Sequence, residues 1–570
     1  MKNSILLICS SFLIATTMSC TDDFNEINTQ PDALSTDDIS AKFFVTNIQQ
    51  KLLRPTMIPL WFGDVIHPDQ FSGQTANGWA GSDWNGDLGW VYNSFYTDLG
   101  CWQWLAGYNS DLTSYMNNVK AGGTLEDQMY YALGLVMKGF YYQQYTEAFG
   151  MIPFTEASDS SITLPKYDDQ LTIYKGIIAD LDEAIAIIGS GTEAGSGFGI
   201  LRENDVIFGG NMQHWKQAAN SLKLRIALRA HGGVGEDFSA TAASEAIASG
   251  VLADVDAMFE GFADETNIWG GSSSYGDVWH NFAGSQWKTT EAMIDILREN
   301  NDPRLSLMAK PAVGGTMTIL KPTAGEGVAL IDKHVAYVKN MLDKAGLVLG
   351  ETLDNGDYTW TETSADLTIT MPENTHFLGM PSRLSAKMKG YMPDYMFSDP
   401  ADIITQKTNE GKPLFPTVVM ASADSHFMIA EAIVKGLANG DAGTYYQLGL
   451  EKAMAVWNTV PSGEFSASNM GSLTGTMEEK LEKIATQRWL VNYTNGYEGW
   501  SIVRDTGYPA ACVITSDDDD IVSFAGEMNG KQAHRLRYGT GTYSSNGDNV
   551  NAAVSAQGPD LMTTKLWFAK

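Results

Sequence analysis

Trp215-Lys216-Gln217-Ala218-Ala219-Asn220-Ser221-Leu222-Lys223-Leu224-Arg225-Ile226-Ala227-Leu228-Arg229 sets the class of this chain. Trp215, Ala219, Leu222, Ile226 and Arg229 recur at three- and four-residue steps, the period of one helix face. Apolar residues stand on the other faces too, so this helix is expected at the centre of the body.

Neighbouring segments repeat the period. Leu171, Tyr174, Ile178, Leu181, Ile185 and Ile188 form a clean stripe, and Tyr130, Leu133, Met137, Phe140, Gln144 and Ala148 form one rich in aromatics. Towards the C-terminus, Met420 to Leu437 carries Ala421, Ala423, Ala430 and Ala432, small residues that let two helices approach closely. A glycine-rich break at Gly436–Gly443 follows, and Tyr446, Leu450, Ala453 and Trp457 resume the step. Helix, tight turn, helix is the unit of tetratricopeptide-type repeats. The expected fold is mainly α, with tetratricopeptide-like helix pairs at about 125–232 and 418–495, long irregular loops and a few short strands. Residues 61–108 and 261–290 are dense in Gly, Ser, Asn, Asp and Trp without a sustained period, which predicts long structured loops. Loop-rich character extends over about 261–410, with short strands at the alternating stretches Thr316–Leu320 and Leu367–Thr370.

The chain begins with Lys2, an apolar run from Ile5 to Met18, Ser19 and then Cys20. That pattern reads as a signal peptide over 1–19, too short to span a bilayer, ending at a cysteine placed for acylation. Met18 sits where a smaller residue is usual; the other reading is an ordinary secretory signal with Cys20 incidental. Residues 20–36, with Pro31 and many Asp, Asn and Thr, read as an acylated flexible tether, leaving 37–570 as one body. Cys101 and Cys512 remain, expected as two buried thiols or one long-range disulfide.

Acidic residues outnumber basic ones 68 to 37, a formal charge of −31, which repels phosphate backbones and anionic lipid. Nucleic acid is excluded as a partner, and a neutral ligand such as carbohydrate fits. Signatures of catalysis are poor. Glu147 and Glu156 could pair as glycosidase acid and base, but carboxylates are too abundant for pairing to mean much. Ser285-Gln286-Trp287-Lys288 matches an S-x-x-K pattern without its companions. Asp83, Asn85 and Asp87 mimic a calcium loop, but Leu88 and Ser94 replace its Gly and Glu. No catalytic residue, metal or cofactor is expected.

Several motifs, in order, carry a resemblance. They are Cys20-Thr21-Asp22-Asp23-Phe24 with Ile27-Asn28-Thr29-Gln30-Pro31, then Tyr145 to Ala157, then Trp215 to Arg229. Asp302-Pro303-Arg304, Ala430-Glu431-Ala432, Gln487-Arg488-Trp489, Gly496-Tyr497-Glu498-Gly499-Trp500 with Arg504, and Thr506-Gly507-Tyr508-Pro509 follow. Together they resemble the SusD/RagB-like outer-membrane glycan-binding lipoproteins, and more narrowly the subgroup described as starch-binding associating with outer membrane. Gly539 departs from the family's usual proline in Arg535–Gly539.

The resemblance implies a helical, non-enzymatic lipoprotein on the outer membrane, anchored through N-terminal acyl chains. It also implies a SusC-like TonB-dependent transporter as partner, to which oligosaccharide or polysaccharide is delivered. Peptide cargo, as in RagB-like members, and a surface glycoside hydrolase are the alternatives. The family's ligand site draws on the first loop region and on loops far along the chain. Flat rings for sugar faces and planar polar groups for hydroxyls then point to Trp61, Asp64, Trp79, Asp83, Trp84 and Trp90. A second aromatic loop contributes Tyr275, Trp279 and Trp287, and a distant loop Arg383, Tyr391 and Tyr395. Trp102 and Trp104 are expected in the core, and Arg225, Arg229, Glu431, Glu498 and Arg504 in internal ion pairs.

Overall fold

Asn211 opens the helix around Trp215: its side chain accepts from the amides of Gln213 and His214, and the helix runs Met212–Ala230. The computed structural model describes residues 39–78, 89–260, 269–281, 287–325, 327–382, 396–514, 526–528 and 531–570. The longer helices are α1 (Lys42–Leu53), α2 (Gln103–Val119), α3 (Gln128–Phe149), α4 (Gln170–Ile188), α5 (Met212–Ala230), α6 (Ser239–Ser249) and α7 (Gly327–Lys344). Then come α8 (Ser422–Val434), α9 (Ala442–Ala455), α10 (Met477–Val491), α11 (Gly496–Thr506) and α12 (Gly547–Gln557). The chain is mainly α, as its periodicity predicts.

Helices pack in sequence, α3 on α4, α4 on α5 and α5 on α6, while α8 packs on both α9 and α10. Side chains explain the starts. Asp127 accepts from the amides of Met129 and Tyr130, Asp169 from Thr172, and Thr476 and Glu479 form a reciprocal capping box. The central position of α5 is borne out. Its Trp215, Leu222 and Ile226 join a core shared with α1 to α4, while Leu224, Ala227 and Leu228 join a second core with α6 and α8. Ala423 and Ala430 of α8 pack in one core with Tyr446, Leu450 and Ala453 of α9, and on α9 a Cβ at Gly449 would meet the Phe427 ring at 2.5 Å.

The two stretches expected as strands, Thr316–Leu320 and Leu367–Thr370, are strands, and one helix and the remaining strands are new. The strands are β1 (Thr75–Asn77), β2 (Ala257–Phe259), β3 (Trp287–Thr289), β4 (Gly315–Leu320), β5 (Thr359–Glu362), β6 (Asp366–Met371) and β7 (Thr417–Met420). β1 pairs with β3, β2 with β7, and β4, β6 and β5 form an antiparallel sheet in that order. The stretch between β4 and β5 contains α7, whose Ile331, Val338 and Leu342 cover one face of that sheet.

Most of the described residues in the region expected as loop over 61–108 are helical. Two π-helical turns, Pro59–Val65 and Thr97–Trp102, flank a short helix at Pro68–Phe71 and β1, and the second leads directly into α2. A π turn advances by more residues than an α turn, so its buried positions leave no 3.6-residue stripe.

Candidate functional site

The two π turns cross through glycines. A Cβ on Gly63 would lie 2.4 Å from Gly100 O, and one on Gly100 would lie 2.1 Å from Phe62 Cβ. No side chain fits at either position, and the crossing is what places Trp61 inside and Asp64 against a cavity. Tyr497 of α11 donates to Gly63 O at 2.7 Å and pins the turn from the other side. His67 Nδ1 lies 2.6 Å from Phe62 O, and burial lowers the imidazole to about 4, so the neutral ring donates to that carbonyl.

Asp64 and Asp69 converge beneath the start of α11. A Cβ on Gly496 would sit 2.5 Å from Asp69 Oδ1 and 2.6 Å from Asp64 Oδ1, so glycine alone leaves room for both. Among the described residues no hydrogen-bond donor reaches Oδ1 of either carboxylate. Asp69 Oδ2 accepts from the Tyr275 hydroxyl. Burial, reinforced by Asp69, pushes Asp64 well above the carboxylate range. Burial raises Asp69 to about 7 despite the Tyr275 hydrogen bond. Below about pH 7 the pair therefore holds at least one proton.

A cavity of about 100 Å3 adjoins this pair, lined by Asp64, Tyr275, Gln143, Arg225, Glu498 and Phe415 among others. Pockets that enclose a small-molecule ligand run from about 300 Å3 upwards. At about 100 Å3 the cavity is smaller than such a pocket.

On the far wall the charges are paired. Arg225 Nη2 donates to Asp424 at 2.9 Å, and Arg229 donates to Glu147 at 2.8 Å and Glu498 at 2.6 Å. Arg488 donates to Asp424 at 2.7 Å and Glu431 at 2.8 Å. Burial alone would raise Glu431, but Lys435 and Arg488 outweigh it and bring it to about 2. Glu498, shared among the guanidinium groups, is still raised by burial. Arg504 instead donates to the carbonyls of Glu147 and His534 and lies 3.5 Å from the Trp500 ring centre. Internal pairing of Arg225, Arg229, Glu431 and Glu498 matches the expectation; Arg504 differs, because carbonyls and an aromatic face replace a carboxylate.

Glu147 is spent in this network and also accepts from Tyr174 at 3.0 Å. Glu156 binds Lys166 and its backbone amide. The two thus serve as structural carboxylates. Cys101 Sγ is 3.7 Å from His67 Nδ1, but the ring's hydrogen is committed to Phe62 O and burial raises the thiol. Nothing there makes a thiolate. Cys101 and Cys512 are both free and buried.

The aromatic residues divide by exposure. Trp61, Trp90 and Trp287 are core side chains at 2%, 3% and 0% exposure, with no open ring face in this conformation. Trp90 stands edge-on to Phe71 at 4.9 Å, and Trp287 lies in β3 beneath its pairing with β1. Tyr275 is buried on Asp69. Trp279 is half-buried, with its Nε1 donating to Trp287 O at 3.1 Å. Lys310 Nζ stands 6.0 Å from the Trp279 ring centre and pairs with Asp402 at 2.8 Å. Trp269, on the same aromatic segment, is 52% exposed. The helix Tyr275–Asn281 thus joins buried Tyr275 at the acid pair to Trp279 at the surface. Cys20, Trp79, Asp83, Trp84, Arg383, Tyr391 and Tyr395 lie outside the described residues. Asp69 and Gly496 were not legible as site residues; the nearest signal was Asp64 and Asp69 inside one apolar run between Pro59 and Phe71.

Two family models match the chain: "Starch-binding associating with outer membrane" over residues 36–320 and "Susd and RagB outer membrane lipoprotein" over 464–569. Among curated proteins none matches. Solved structures share the fold across nearly the whole length. One described as a chitin-binding protein has a TM-score of 0.68 at 20% identity, covering 93% of this chain and 100% of its own. A SusD homologue from Bacteroides uniformis gives 0.67 at 20%, covering 94% and 100%. A SusD-like protein from Bacteroides thetaiotaomicron gives 0.64 at 21%, covering 93% and 98%.

Proposed function

The chain belongs to the SusD/RagB-like family of outer-membrane glycan- and nutrient-binding proteins, and on that premise we propose that it is a surface lipoprotein that captures neutral oligosaccharide or polysaccharide for a SusC-like TonB-dependent transporter. Residues 1–19 are the signal, Cys20 carries the acyl chains, 20–36 form the tether and 37–570 the binding body. The body recognises its ligand and hands it on without chemistry.

Trp279 is the observation that carries this reading. Its indole N–H is tied to a backbone carbonyl, so the ring is oriented without a ligand, and part of it remains open beside Lys310. A ring held in place costs little entropy to use as a stacking surface for sugar C–H faces. The charge of −31 supports a neutral ligand, as does the chitin-binding description of one structural neighbour. The small cavity supports capture at the surface, where a long chain need not be enclosed.

Calorimetry of the purified protein against neutral oligosaccharides of plant, host and microbial origin tests ligand class. Binding of at least one is expected; a folded protein that binds none contradicts the proposal. Mass spectrometry of protein from the membrane fraction tests Cys20, with an acylated N-terminus expected there. Affinity purification from the outer membrane is expected to bring a TonB-dependent barrel with it.

A further inference from the structure

The sheet formed by β4, β6 and β5 carries threonines in two straight rows on the face turned away from α7. The register sets Thr316 opposite Thr370 and Thr370 opposite Thr359. Two residues along, Thr318 stands opposite Thr368 and Thr368 opposite Thr361. Directly paired residues point to one face, so these six hydroxyl-bearing side chains form a three-by-two grid. The other face, with Met317, Ile319, Leu367 and Ile369, is buried under α7.

The grid is rigid and open to solvent. Thr316, Thr318 and Thr361 are exposed and the other three half-buried. Thr316 and Thr370 share a hydrogen bond of 3.0 Å, Thr318 and Thr368 one of 3.2 Å. Each shared bond uses one hydrogen, leaving a second hydroxyl hydrogen and lone pairs for a ligand. Strand spacing of about 4.8 Å and a two-residue step of about 6.7 Å set the repeat, with methyl groups between the hydroxyls. Leu320, next on β4, is 71% exposed and extends the face with an apolar edge.

No charge interrupts the two rows. The sheet's charges, Asp366 and the Lys321–Glu362 pair, come after the second row. On a body of charge −31, nucleic acid and anionic lipid are repelled. A protein partner calls for an apolar centre, which hydroxyl rows do not supply. A neutral chain that repeats hydroxyls along its length meets both the charge and the periodicity.

We propose that this threonine face is a second contact surface for neutral polysaccharide, built on a core separate from that of Trp279 and engaged by long chains but not by short oligosaccharides. The inference rests on the glycan-binding reading above and adds a site to it. Two surfaces on one chain raise the avidity for a polymer that reaches both, with no gain for a fragment that reaches one.

The test compares the mature protein with a variant carrying Thr316→Val, Thr318→Val, Thr368→Val and Thr370→Val. Valine keeps the shape and strand preference of threonine and removes the hydroxyl. Affinity electrophoresis uses gels containing soluble starch, mixed-linkage β-glucan or glycol chitin, with calorimetry on a hexasaccharide of whichever glycan retards the wild type. The valine variant is expected to lose about tenfold in polymer affinity and nothing for the hexasaccharide. Serine at the same four positions is expected to keep polymer binding. Equal retardation of valine variant and wild type overturns the proposal and shows the threonines to be strand formers only; so does hexasaccharide binding by a wild type that no gel retards. Binding of neither polymer nor oligosaccharide by the wild type overturns the glycan-binding reading itself, and this site with it.

Discussion

Gly496 and Glu498 stand two residues apart at the start of α11, yet the carboxylates around them are held in opposite ways. Around Glu498, three guanidinium groups, Arg225, Arg229 and Arg488, lie within 3.5 Å. Around Gly496, Asp64 and Asp69 meet with no cation among the described residues, and protons take its place. The first region keeps charges buried by matching them; the second keeps carboxyls buried by neutralising them. The difference teaches where the body tolerates change. A matched network fails when one partner goes, whereas an unmatched pair relaxes when one acid is removed.

The largest effect is expected from Arg229→Met. It leaves Glu147 buried without its guanidinium and removes one of the three around Glu498, and should cost about 3–5 kcal/mol in a denaturant titration, a large part of a typical stability of about 5–15 kcal/mol. A loss below about 1 kcal/mol would mean the network is not dry. Next comes Gly100→Ala at the crossing that positions Asp64. Its Cβ overlaps Phe62 and Gly63 backbone, and overpacking of this kind costs up to about 3 kcal/mol.

The acid pair predicts a smaller effect with a distinctive pH signature. Between the ordinary aspartate value of 3.8 and about 7, the unfolded chain has released a proton that native Asp69 retains. The unfolded state then binds fewer protons, so stability falls as pH rises through that window, by up to about 1.4 kcal/mol per unit. Glu431 acts in the opposite sense. Its value drops from 4.5 to about 2 on folding, so its contribution is present above about pH 4.5 and lost as pH falls towards 2. Thermal scans should show greatest stability near pH 4–5. Asp69→Asn should flatten the decline between pH 4 and 7 and gain about 1–2 kcal/mol at pH 8. An unchanged pH profile in that variant would place the proton elsewhere.

The contrast also shows what a sequence can disclose. Part of the matched network was legible because those members lie on helices: Arg225 and Arg229 on α5, Glu431 on α8 and Glu498 on α11, whereas Arg488, Asp424 and Glu147 were not read as its members. A charge on a helix with apolar residues all round has to be paired. The acid pair was not legible. Asp64 and Asp69 lie on π and short α turns whose spacing leaves no stripe, and they meet through Gly496, more than 400 residues away. Trp61, Trp90 and Trp287 read as open loop aromatics for the same reason. Their cover comes from distant partners, as in the β1–β3 pairing of Asn77 with Trp287. Helix α7 had its stripe of Ile331, Val338 and Leu342, yet the threonine-rich strands on either side dominate the composition of that region.

The largest change in function is expected from a residue outside both carboxylate sites. Trp279 is half-buried against the core of Trp61, Tyr275 and Trp287 but touches neither group of carboxylates, so Trp279→Ala should cost some packing and leave the shape of the pH profile intact. Titration calorimetry of wild type and Trp279→Ala against the best-bound neutral oligosaccharide is the most direct test. A wild type that binds and a variant that still melts cooperatively but is weakened about tenfold, roughly 1.4 kcal/mol, is the result expected. Equal affinity in the two proteins would contradict the claim that this ring is the shelf on which the sugar rests.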